Sequence, residues 1–155
     1  MNAYDRILCA LDFSPHADAA FAAAVEMARE EKAGLSLLHV YVPGTPLVPG
    51  EKPARAKKMS DHDLAQRLRA HIEEEYLARA EGLDCRVMLR RGHPSVEILA
   101  HLADHPADLL VLGSQGLSGM GLFILGSVAE RVVRRAPCDC LLVRPAAPPA
   151  AQGAV

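Results

Sequence analysis

Five short strand-like segments, separated by helical patterns, constrain the fold of this 155-residue chain more than any other feature. Most of them are nearly continuous apolar runs, which are typical of parallel strands covered by helices on both faces. The predicted strands lie at residues 5–11, 35–42, 85–89, 108–112 and 138–143. The third alternates apolar and polar residues, as a strand near a sheet edge does. This order predicts an α/β fold with a single doubly wound, five-stranded parallel sheet and right-handed crossovers.

Capping residues and apolar stripes mark the first two helices. Ser14 is the expected N-cap of the first, Pro15 its first residue and Gly34 its end. Ser60 is the expected N-cap of the second helix, which Gly82 ends. The residues predicted to face the core share helical spacing and are Ala17, Ala20, Phe21, Ala24, Val25 and Ala28 in the first helix and Leu64, Leu68, Ile72 and Tyr76 in the second.

Charge and hydropathy exclude several classes of protein. Seventeen Lys and Arg against nineteen Asp and Glu leave a net charge of −2, without the basic excess of a nucleic-acid-binding protein. The first residues lack the basic and apolar regions of a secretory signal, and the apolar runs fall far short of the ~18 residues of a membrane span. Four cysteines without metal-ligand spacing suit a reducing compartment. We therefore expect a cytoplasmic protein with no nucleic-acid and no membrane partner.

The expected domain covers residues 1–145. Within it, residues 43–59 hold prolines, glycines and lysines and are expected to form a surface loop. Residues 146–155, rich in Pro and Ala, are expected to be a disordered tail.

The stretch 113–127 carries the clearest chemical signal. It has five glycines, three serines and no charged residue, follows a buried strand and leads into a helix at Ser127. Glycines let a ligand approach the main chain, and successive N–H groups at a helix start bind anions. The hydroxyls of Ser114, Ser118 and Ser127 would add donors, so the stretch predicts a phosphate cradle. A flexible connector with a helix cap is the alternative interpretation.

Two standard phosphate motifs are absent. A Walker loop needs a lysine, and none follows Lys58. A dinucleotide fingerprint starting at Gly119 would need a third glycine where Ile124 stands, and it would follow the first strand rather than the fourth.

Other candidate residues have competing structural interpretations. His101 and His105 have a spacing that can bind zinc, but no third ligand is evident, and exposed surface histidines are expected. Cys138 and Cys140 are interpreted as small buried hydrophobes rather than a redox pair. Asp12, at the end of the first strand, is either a ligand-facing carboxylate or a helix cap.

The spacing Gly113-x2-Gly116-x9-Gly126-Ser127 is the complete G-x2-G-x9-G-(S/T) pattern, and the chain resembles the ATP-binding branch of the universal stress protein family. Residues 4–14, 37–40, 92–99, 107–114 and 138–143 resemble the family in the same order, so the likeness extends over about residues 3 to 145.

The resemblance implies a strand order of 3-2-1-4-5 and a homodimer formed through the closing strand, Cys138 to Val143. It also implies that the ligand is ATP, with or without Mg²⁺. By position, the phosphates would be held by Gly113, Gly116, Gly126 and Ser127, with Ser114, Ser118 and Val128 nearby. Asp12 would face the ribose or a bound divalent metal cation, and Ala10 and Val40 would line the adenine pocket.

Phosphoryl transfer needs positioned cations, and the 113–127 loop offers only backbone dipoles and hydroxyls. We therefore expect an ATP-binding regulatory stress-response protein, in which the nucleotide modulates conformation or assembly. A slow Mg²⁺-dependent ATPase and a nucleotide-free interaction module remain alternatives.

Overall fold

The computed structural model describes residues 1–45, 52, 58–116 and 125–146. The predicted surface loop lies largely outside these ranges, as do Ser118 and all but the first residue of the predicted tail. No helix among the described residues is long and apolar enough to cross a membrane.

The predicted doubly wound α/β fold and strand order are confirmed. All strand pairs are parallel, and their order in the sheet is β3-β2-β1-β4-β5. The strands are β1 (Arg6–Leu11), β2 (Gly34–Tyr41), β3 (Cys85–Arg91), β4 (Leu109–Gly113) and β5 (Asp139–Val143). The helices are α1 (Pro15–Glu31), α2 (Asp61–Tyr76), which runs into a 3₁₀ turn (Leu77–Ala80), α3 (Pro94–Asp104) and α4 (Ser127–Arg135).

Two apolar layers cover the two faces of the sheet. The face covered by α1 and α2 packs around Phe21, Leu37 and Val111. The face covered by α3 and α4 packs around Leu8, Leu38 and Leu110. The residues predicted to face the core from α1 and α2 are all buried, because helical spacing fixes their side.

The predicted N-caps are confirmed, since the Ser14 hydroxyl accepts from Ala17 N at 3.1 Å and the Ser60 hydroxyl from Asp63 N at 3.2 Å. The predicted end of α1 at Gly34 is wrong. Lys32 takes the left-handed turn at φ 55°, and Gly34 already belongs to β2. Its N–H donates to Asp5 O at 3.0 Å, so pairing beside β1 determines its place.

The predicted exposure of His101 and His105 is wrong for one of the two. His101 is 2% exposed, whereas His105 is exposed. The rings stack with centroids 4.7 Å apart.

Candidate functional site

A cavity of about 420 Å³ opens at the carboxyl edge of the sheet. The ends of β1, β2 and β4 and the starts of α3 and α4 surround it. Small residues leave this space: Ala10 lies opposite Leu38 in the β1–β2 register, and Gly113 ends β4. Doubly wound sheets bind their ligands at this edge, so the cavity is the leading candidate site.

The structure brings most of the predicted site residues together around this cavity. Those that line it are Ala10, Asp12, Val40, Gly113, Gly116, Gly126, Ser127 and Val128. Ser114 is 4% exposed and is not among the lining residues. Ser118 lies outside the described residues.

Ser114 instead holds the two described ends of the glycine-rich stretch together. Its carbonyl accepts from Gly126 N at 2.7 Å, and its N–H donates to Val143 O at 3.0 Å. Its hydroxyl lies 3.3 Å from His16 Nδ1. These bonds tie the start of the stretch to its end, to β5 and to α1, so the mouth of the cavity has a fixed frame.

The first turn of α4 presents backbone donors to the cavity. Gly126 is the N-cap and supplies no side-chain bond. Ser127, Val128 and Ala129 follow it and line the cavity. Since the first N–H groups of a helix have no intrahelical partner, this turn can bind an anion without a cationic side chain.

Two glycines of the motif lie in close contact with other residues. A Cβ on Gly113 would lie 2.7 Å from His16 Cβ and 2.9 Å from its carbonyl carbon, so α1 reaches β4 only because no side chain intervenes. A Cβ on Gly116 would lie 2.7 Å from Asp12 Oδ2. The carboxylate of Asp12 thus lies directly against the backbone of the glycine-rich stretch.

A left-handed turn at Phe13 sets the position of Asp12. Phe13 has φ 64°, which is uncommon for a residue other than glycine. Its ring stacks on His39 at 4.4 Å and meets His71 edge-on at 5.0 Å. These ring contacts offset the backbone strain of about 1–3 kcal/mol. Strained residues of this kind cluster at functional sites, which supports a role for the turn.

His39 stabilises the same turn through its contact with the end of β1. Its Nδ1 lies 2.8 Å from Leu11 O, in hydrogen-bonding range. Burial lowers the pKa of His39, against the opposing effects of that hydrogen bond and of Asp12. The neutral ring therefore donates through Nδ1–H and fixes the end of β1.

The charge at the cavity is acidic. Asp12 and Glu130 are the charged side chains among its described lining residues, and no Lys or Arg is found there. Glu130 also pairs with the exposed Arg134 at 3.0 Å. A polyphosphate would meet favourable backbone donors and two unfavourable carboxylates.

Several lining residues were not predicted. Leu38, two residues before Val40, faces the cavity with it, and strand alternation contained that signal. Pro94 and Ile98 lie one turn apart on α3. Gln115 and Glu130 line the site because of loop and helix placement that no local pattern indicates.

The described part of the chain adds no third metal ligand to the pair His101 and His105. Among the residues that the structure describes, no group of three or more His, Cys, Asp or Glu could hold a metal ion. Cys138 and Cys140 are half-buried and free, and burial raises the pKa of both thiols.

The parallel sheet and the cavity at its carboxyl edge define an α/β protein of the doubly wound type with a candidate ligand site. The family model of the universal stress protein family matches residues 3–144. The chain belongs to that family.

Curated relatives agree over nearly the whole chain. A putative universal stress protein of Staphylococcus epidermidis is 37% identical over 145 residues, covering 93% of this chain and 86% of that protein. Universal stress protein YxiE of Bacillus subtilis is 30% identical over 150 residues, covering 91% and 99%.

Solved structures share the fold. Universal stress protein UspA from Lactobacillus plantarum has a TM-score of 0.68 at 28% identity, covering 91% of this chain and 98% of that one. A universal stress protein in complex with cAMP has a TM-score of 0.64 at 23% identity, covering 93% and 99%. One from Archaeoglobus fulgidus in complex with dAMP has a TM-score of 0.62 at 21% identity, covering 92% and 99%.

Proposed function

We propose that this chain is a regulatory stress-response protein that binds ATP in the cavity at the carboxyl edge of the sheet. One observation carries the proposal. The described ends of the glycine-rich stretch, the uncapped first turn of α4 and Asp12 all meet at one cavity of about 420 Å³. That volume suits a small-molecule ligand. Two family structures that contain cAMP and dAMP give support for the adenine class.

The proposed orientation follows from the chemistry of the walls. Ala10, Leu38, Val40 and Ile98 form an apolar side, which suits the adenine ring. Gly113, Gly116, Gly126 and Ser127 form the side rich in backbone donors, which suits the phosphates. Ser114 would act by holding this frame together, and Val128 by its place in the first turn of α4.

We infer that Mg²⁺ accompanies the nucleotide and that Asp12 faces it. Two carboxylates line the described part of the cavity, and no basic side chain does. Repulsion between these acids and a triphosphate falls when a divalent cation lies between them, and Mg²⁺ is commonly held by one or two carboxylates together with substrate phosphates. Binding without rapid turnover is favoured, since the described lining holds no cation to stabilise a transferring phosphoryl group.

We also propose a homodimer paired through β5, in a cytoplasmic setting. β3 and β5 are the two outer strands of the sheet. The β3 edge is charged, with Arg90 bound to Glu97 and Arg91 to Asp61, and such an edge resists pairing. β5 instead presents half-buried apolar residues from Cys140 to Val143. The free cysteines support the reducing compartment.

A matched pair of glycine variants tests the site. In Gly116→Ala, the new Cβ would overlap Asp12 Oδ2 and displace the carboxylate from the proposed nucleotide site. ATP affinity should therefore fall about tenfold or more, which is the size of effect that follows from losing one charge-assisted contact with the ligand. Gly34 lies at the amino end of β2, away from the cavity, and the nearest atom to a Cβ there is 3.8 Å away. Gly34→Ala should therefore leave the ATP affinity unchanged. Calorimetric titration with ATP and Mg²⁺ measures both. Equal affinities in both variants, or no ATP binding by the unmodified protein, would refute the proposal.

A further inference from the structure

A second cavity, of about 450 Å³, lies at the opposite, amino edge of the sheet. The carboxyl end of α3 lies over the first residues of β1 and β2 there. The small residues Gly34 and Ser36 of β2 leave this space. Gly34 lies opposite Arg6 in the strand register, and Ser36 lies between Leu8 and Arg86. This amino-edge cavity shares none of its lining residues with the carboxyl-edge cavity.

Basic side chains reach the amino-edge cavity from three elements. Arg6 comes from β1, Arg86 from β3 and His101 from α3, and His105 follows directly after α3. The Arg6 and Arg86 side chains are 60% and 74% exposed. They therefore have room to move onto a ligand.

The acids of the amino-edge cavity already have basic partners. Asp84 lies 3.6 Å from Arg86, and Asp104 lies 3.2 Å from Arg90. Arg6 likewise lies 3.2 Å from Asp108, so both arginines have one carboxylate partner, and the lining holds four basic side chains against two acidic ones. A ligand with negative charge fits this arrangement better than a cation does.

Apart from the charges of the cavity, the buried imidazole of His101 also indicates a ligand. It is 2% exposed, and within the described part of the chain its imidazole has no hydrogen-bond partner, only the stacked ring of His105. Burial, then His105 and Arg90, lower the pKa of His101. A buried polar group left without a partner costs about 1–3 kcal/mol, and a ligand oxygen at this ring would remove that cost.

We propose that the amino-edge cavity binds a small organic anion. Its carboxylate or phosphate group lies among Arg6, Arg86, His101 and His105, and its apolar part lies against Leu8. The site does not depend on nucleotide binding, because the two cavities lie at opposite edges of the sheet and each can be tested while the other is empty.

The test follows the imidazole NMR signals of His101 and His105 during titration with succinate and with inorganic phosphate. Sodium chloride at matched ionic strength is the control. A saturable shift with succinate identifies a carboxylate ligand, and one with phosphate identifies a phosphate ligand. Burial lowers the pKa of His101 in the empty cavity, and a bound anion stabilises the charged ring, so the titration of the His101 signal should move to higher pH when the anion is present. The other charged groups at the cavity or beside His101 are Arg6, Arg86, Arg90, Asp84 and Asp104.

Arg86→Gln and His105→Gln, both at exposed positions, should each weaken anion binding about tenfold. Arg134→Gln, which removes a 75% exposed arginine on α4, should leave it unchanged. The proposal is overturned if neither anion gives a saturable shift, or if the three variants behave alike. It is also overturned if Zn²⁺ alone shifts the rings while both anions leave them unchanged, or if the anions perturb only the carboxyl-edge cavity.

Discussion

Asp12 connects the turn before α1 with the glycine-rich stretch at the carboxyl-edge cavity. Its Oδ1 accepts from Ser14 N at 3.0 Å, which secures the turn into α1. Its Oδ2 lies against Gly116, at the start of the loop side of the cavity. The Ser14 hydroxyl, and not Asp12, caps α1, so one Asp12 oxygen secures the turn before the helix and the other is the one that the proposed ligand would meet.

Asp12→Asn separates these roles. Asparagine keeps an oxygen acceptor for Ser14 N and removes the charge, so the fold should persist. The gain in ATP affinity that Mg²⁺ gives should shrink, because a cation loses one carboxylate ligand. Calorimetric titrations with Mg²⁺ and with a chelator measure this gain. Glu130→Gln, which neutralises the other acid of the cavity, is the comparison. An unchanged Mg²⁺ effect in Asp12→Asn would show that its carboxylate does not face the cation.

At the scale of elements, the start of α1 connects the site to the core. Ser14 is fully buried, and its hydroxyl caps the helix. The same turn carries His16, which contacts Gly113 and Ser114 at the end of β4. A change at the cap therefore affects both stability and the frame of the cavity.

Ser14→Ala should lower the free energy of unfolding by about 1–2 kcal/mol, because the buried N–H of Ala17 loses its acceptor. Ser60→Ala, at the exposed N-cap of α2, should cost less, since water replaces the lost oxygen. Urea unfolding of both variants measures the difference. A larger loss for Ser60→Ala would contradict this account of α1.

The elements themselves were predictable from sequence because helical and strand periods are local. The buried face of α1 follows from spacing alone, and so would the burial of His101, three residues after Ile98 on α3. The end of α1 was not predictable in this way, because pairing of Gly34 beside β1 overrides its tendency to end helices. The contact of Asp12 with Gly116 also depends on the assembled sheet, and no local sequence pattern indicates it.

At the scale of the whole molecule, the two outer strands of the sheet, β3 and β5, differ in chemistry. Arg90 and Arg91 of β3 are paired with acids of α3 and α2, whereas β5 is mainly apolar and only half-buried. Edge strands of the second kind readily pair with another chain. The proposed homodimer depends on this contrast.

Sedimentation velocity at micromolar concentration should show a species of twice the 16.6 kDa chain mass. Leu142→Lys, on β5, should give monomers. Met88→Lys, at a half-buried position on β3 that packs on the same apolar layer, should leave the dimer intact. A monomeric unmodified protein, or two variants that dissociate equally, would contradict pairing through β5.

The central claim is that an adenine nucleotide occupies the carboxyl-edge cavity, and amide NMR spectra recorded during titration with ATP and Mg²⁺ test it most directly. The account predicts saturable shifts at Gly113, Gly116, Gly126 and Ser127, together with Ala10 and Val40 on the apolar side. Shifts confined to the amino-edge cavity, or none at all, would contradict it.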